Sequence, residues 1–163
     1  MISFSLVVFH TLKFIHIFAA VVWVGGGIFV QIYGTKLRRE NDPARLGRFA
    51  KDVEFFGTRV FAPASGVVIL FGVLLVVYTP FIYWSETWIV LGLVGAAATF
   101  VTGMFFIGPE SGRLAKAAEA EGPESPAVQA SIKRIFMISR IDQLVLFLVI
   151  LDMVFKPGAK GSF

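Results

Sequence analysis

His10, Lys13 and His16 stand three residues apart inside an apolar run, Phe9–Phe29, that is long enough to cross a bilayer. Ionisable groups in hydrocarbon are costly, so they are usually kept for a purpose. An imidazole can ligate a metal or pass a proton. The two histidines lie about 120° apart around a regular helix and about 9 Å apart along it, so they cannot chelate one ion together. His16 shares a helical face with Ala20, Trp23 and Gly27. A porphyrin could stack near Trp23, pass over Gly27 and take the His16 imidazole as axial ligand to haem iron. The plainer alternative is a buried histidine bonded to a backbone carbonyl or a carboxylate. His10 reads as an interfacial residue.

Lys13 can snorkel toward water or pair with Asp152. Asp152 can also pair with Lys156, four residues on. A structural ion pair and a proton relay through Lys13, His16 and Asp152 are both open. Arg59, Arg140 and Asp142 form a second charged layer at the opposite membrane edge, where an Arg59–Asp142 pair is expected. The two arginines could also grip acidic groups such as haem propionates or lipid phosphates. With no cysteine there is no disulfide, thiolate metal site or cysteine nucleophile. The chain also lacks GxxxxGK[ST] and HExxH.

The elements that position these residues follow from composition. Hydrophobic residues make up 56% of the 163, and the mean hydropathy is +0.79, far from a soluble domain. Four spans are expected, over residues 6–33, 59–78, 87–107 and 141–155, each helical because lipid cannot hydrogen-bond a bare backbone. The fold class is therefore an all-α integral membrane bundle of four transmembrane helices in one domain, 1–163. MISFSLVVF carries no basic residue, and the apolar stretch continues past Ala20, so the first span reads as retained, not as a cleaved signal.

Asp42-Pro43 is an N-cap with Pro at the first helical position, and Leu46, Phe49, Val53 and Phe56 recur at helical spacing. They predict an amphipathic helix over 43–57, lying at the cytoplasmic interface between the first two spans. Phe81, Tyr83, Trp84 and Trp88 predict an aromatic turn. Gly122-Pro123 and Pro126 divide the last connection into two helical pieces that extend spans three and four. Twelve basic residues in the two long connections and their flanks, against Lys13, Lys156 and Lys160 on the other side, place those connections in the cytoplasm and both termini outside. The same placement accounts for the net charge of +4 without nucleic acid. Gly92, Gly95, Ala96, Thr99 and Gly103, with Gly66, Gly72 and Gly25–Gly27, predict close helix–helix approach.

Lys13-x-x-His16-Ile17 followed by Val21-Val22-Trp23-x-Gly25 resembles the first span of the HemJ-type protoporphyrinogen oxidases and the related CopD-like copper-resistance membrane proteins. Arg59-Val-Phe-Ala-Pro63-Ala-Ser-Gly66 is similar to their second span, and Arg140-Ile-Asp142 with Lys156-Pro157-Gly158 to their fourth. Within that superfamily the chain looks most like a family of small four-helix membrane proteins of unknown function. The resemblance implies b-type haem on His16 in a bacterial cytoplasmic membrane. No histidine follows His16, so a second histidine ligand would come from another protomer. The expectation is a haem b- or porphyrin-binding protein with a redox or accessory role, held among lipids as a homodimer or a subunit of a larger complex. The alternatives are a non-catalytic assembly subunit and a small transporter of metal ions or protons.

Overall fold

The computed structural model describes residues 2–40, 42–80, 82–122 and 124–159, with side chains from residue 6 onward, residue 43 excepted. Phe81, Pro123 and Lys160, used in the sequence reading, lie outside the described residues. The elements are α1 (Ile2–Glu40), α2 (Pro43–Phe56), α3 (Ala62–Tyr78), α4 (Thr87–Thr102), α5 (Gly108–Glu121) and α6 (Pro126–Phe155). Two short π-helical segments, Gly57–Phe61 and Gly103–Ile107, join α2 to α3 and α4 to α5. Four antiparallel rods result. The 39-residue α1 alone is about 60 Å long, roughly twice the hydrocarbon thickness of a bilayer.

Three stretches, Leu6–Glu40, Ala44–Tyr78 and Thr87–Glu121, are long and apolar enough to cross a membrane. α6 carries Arg140, Asp142 and Asp152 within its apolar stretch. α1 packs chiefly on α3, and α4 chiefly on α6.

The start of α2 is built as the sequence predicts, and α6 starts in the same way. Asp42 Oδ1 accepts the Arg45 backbone N–H at 3.0 Å, with Pro43 in the first turn. The Ser125 hydroxyl accepts the Val128 N–H at 3.3 Å, ahead of Pro126. Both π segments have one cause. Pro63 and Pro109 lack an N–H, and their rings crowd the carbonyl four residues back. The preceding residue adopts the wider turn: the Ala62 N–H reaches Gly57 O, and the Gly108 N–H reaches Gly103 O. The two segments lie against each other.

The helix expected over 43–57 is α2, and it runs through its π segment into α3 as one rod. Leu46 and Phe49 turn inward with Leu37, Leu114, Val128, Ile132 and Ile135, and Val53 packs against them. Phe56 alone of the expected face is exposed. This cluster makes a head at the connection end of the bundle, tied by the ion pairs Lys51–Glu119 and Arg134–Glu110. Ile132→Ala, at 4% exposure, is expected to cost about 2–4 kcal/mol. Thermal unfolding in detergent measures that loss.

Candidate functional site

α1 and α3 bring the His16 imidazole against a backbone carbonyl. Nδ1–H donates to Val68 O at 2.8 Å, since a carbonyl only accepts. The neutral ring then carries its lone pair on Nε2. Gly72, one turn beyond Val68, makes the approach possible: a Cβ there would lie 3.1 Å from His16 Cε1 and 3.4 Å from Nδ1. Gly72→Ala is therefore expected to push the ring back by a few tenths of an ångström and loosen the Val68 bond. The imidazole nitrogen resonances would report it, and an unshifted spectrum would refute it.

Below this pair, Ala19, Trp23 and Val24 pack with Ala64, Val68 and Leu146. Above that floor lies a cavity of about 710 Å³, walled by α1, α3, α4 and α6. The volume falls within the range of pockets for small organic ligands. The walls are almost wholly apolar, and His16, Lys13 and Lys156 supply the ionisable groups. All three tryptophans, Trp23, Trp84 and Trp88, line it.

The end near the chain termini is built from pieces that the sequence reading did not single out. Glu86, fully buried as the residue before α4, accepts the Trp88 indole N–H on Oε2. Its other oxygen has no hydrogen-bond partner. The Lys156 ammonium sits 5.3 Å from the Trp88 ring centre. Burial and the Lys13 charge lower the Lys156 pKa, and Glu86 opposes them. Lys156 takes the left-handed conformation that ends α6 (φ 47°), and Gly158 (φ 76°) completes the turn. Only a reversal of this kind returns the chain onto Thr87 and lets Ala159 pack beside Val76, Trp88 and Ile89.

His16, Trp23 and Lys13 thus share one cavity. Gly27 does not join them: it lies against α6, where a Cβ would meet Gln143 Oε1 at 2.5 Å, so Gln143 fills the space expected for a ligand. Arg59 lies in the first π segment and Arg140 on α6; both are exposed, and neither lines the cavity. Asp142 is half-buried, and the expected Arg59–Asp142 ion pair is not among those of the described residues. Lys13 does not pair with Asp152 either. Its ammonium lies 5.8 Å from the Phe9 ring centre, and both Asp152 carboxylate oxygens are buried without a hydrogen bond. Lys156 bonds the Asp152 main-chain oxygen through its own N–H at 2.8 Å. His10 is exposed, and its Nδ1–H donates to Leu6 O. No group of three or more histidine, aspartate or glutamate side chains could hold a metal ion among the described residues. Gly72 and Trp88 were legible only as a small residue and an aromatic one; Glu86 gave no signal beyond its position before a helix.

The rods and the cavity between them define an integral membrane helical bundle with room for an organic ligand. Residues 10–157 match the family described as predicted integral membrane protein (DUF2269), and the chain belongs to that family. No curated protein and no solved structure matches the chain. Nothing in these matches links it to the HemJ-type or CopD-like proteins in particular.

Proposed function

We propose that this protein binds haem b or a related porphyrin in the cavity beside His16, in a redox or accessory role. The observation that carries the reading is the imidazole itself. Its Nδ1–H is committed to Val68 O, which fixes the ring and leaves Nε2 free to ligate. Gly72 provides the seat, and the apolar walls suit a porphyrin face. Trp23 offers a stacking surface, and Lys13 with Lys156 offers charge for the carboxylates of the ring. That role replaces the one first given to Arg59 and Arg140. When bound, haem iron would supply one-electron chemistry; the chain's own residues orient the ring and keep water from it.

The same reading takes α6 as a fourth span, with the charge bias holding both termini outside a bacterial cytoplasmic membrane and the α2–α5 head inside. A single histidine in the cavity leaves room for a second protomer or a partner subunit to complete the ligation. The test is a reduced-minus-oxidised absorption spectrum of the protein purified in detergent after expression with ample haem. A Soret band at near-stoichiometric yield supports the proposal, and a colourless protein sinks it.

A further inference from the structure

We propose that Met153 is a second axial ligand, so that a porphyrin iron in the cavity is held between the His16 imidazole of α1 and the Met153 thioether of α6 within one chain. The inference rests on the porphyrin reading and adds to it a ligand, a spin state and a narrower role.

The depth of Met153 follows from the register of two antiparallel helices. A Cβ on Gly34 of α1 would meet the Phe136 ring of α6 at 2.6 Å, and one on Gly27 would meet Gln143 Oε1 at 2.5 Å. Val24 and Leu146 share one buried cluster. From the first pair to the second, seven residues back along α1 match seven onward along α6; from the second to the third, three match three. Eight residues further in the same register, His16 comes level with Val154, the neighbour of Met153. At a rise of about 1.5 Å per residue, the imidazole and the thioether start from nearly the same depth.

The two side chains also belong to opposite sides. His16 leans on α3, through Val68 O and Gly72. Met153 leans on α4, where its methyl occupies the place that a Cβ on Gly92 would take. Each is seated on a glycine of the neighbouring helix, and both line the one cavity between the α1–α3 and α4–α6 pairs. The methionine side chain is flexible, and its sulfur is an established haem ligand opposite histidine.

No other side chain along the described cavity wall offers the same. An indole only donates, and a protonated lysine has no lone pair. Lys13 is moreover within one turn of His16 on the same helix, and the Lys156 ammonium stands over the Trp88 ring. Met104 and Met137 are exposed and lie outside the cavity. With an imidazole and a thioether both axial positions are filled, and the thioether favours the reduced iron. No position is left for oxygen or a substrate, so the redox role is narrowed to electron transfer.

The full chain, expressed with ample haem and purified in detergent, tests this. The ferric protein should be low-spin and show the near-infrared sulfur-to-iron charge-transfer band, in the monomer as well as in any larger species. Met153→Leu roughly conserves the side-chain volume. It should keep a Soret band through His16, lose the sulfur band, turn high-spin and move the midpoint potential down. Met153→His should stay low-spin without the sulfur band, and it carries the comparison if the leucine variant fails to fold. Met137→Leu, at an exposed position outside the cavity, should leave the spectrum unchanged. A Soret band without the sulfur band, or a sulfur band that survives Met153→Leu, overturns the methionine and leaves the porphyrin reading standing. A colourless protein overturns that reading and the methionine with it.

Discussion

His16→Ala is expected to abolish the Soret band and weaken porphyrin binding by about a hundred-fold or more, while leaving the fold in place. The imidazole is the cavity's only histidine, so no other ring takes over ligation. The carbonyl it leaves behind is not orphaned, because Val68 lies within the continuous helix α3. One side chain–backbone bond is lost, which costs about 1 kcal/mol. Absorption spectra and thermal melts taken together separate the two effects. A retained Soret band refutes the ligand role, and a collapsed melt would make the histidine structural.

The second large effect is expected from Gly92→Leu. α4 meets α6 here with no room to spare: a Cβ at Gly92 overlaps the Met153 methyl and lies 3.3 Å from Asp152 Oδ2. The methionine is flexible and can yield to one added carbon. A leucine must displace the Asp152 carboxylate too, and the two helices have to part. The cost is of order 3 kcal/mol, and the cavity wall formed by Gly92 and Met153 moves with it. The expected result is a lower melting temperature and loss of porphyrin binding together, with Gly92→Ala close to the unaltered protein. A Gly92→Leu protein of undiminished stability would contradict this packing.

Much of the architecture was legible along the chain. The apolar stretches, the Asp42-Pro43 helix start, the division of the last connection near Pro126 and the aromatic turn all follow from local composition and spacing. So did the separation of His10 from His16, which depends only on helical geometry. The helix over 43–57 was found by its period, but its surroundings were not. An apolar stripe looks the same whether lipid or protein covers it, and here α5 and α6 do. The two π segments were hidden because a proline in a helix can kink, end or widen it, and neighbouring rods choose among these outcomes.

The sequence by itself determined that this is a helical membrane protein and that His16 and Trp23 share one helical face, because periodicity and hydropathy are properties of one segment. Only the tertiary structure decided what that face meets. It gave the imidazole Val68 and Gly72 as partners, set Gln143 over Gly27, and left Arg59 and Arg140 outside the cavity. It also brought Lys156, more than a hundred residues away in the chain, to the cavity's edge beside Lys13. The physical reason is that contacts between helices depend on their relative rotation and depth. Those are fixed by how all the small and large side chains fit at once, and no single stretch of sequence carries that information.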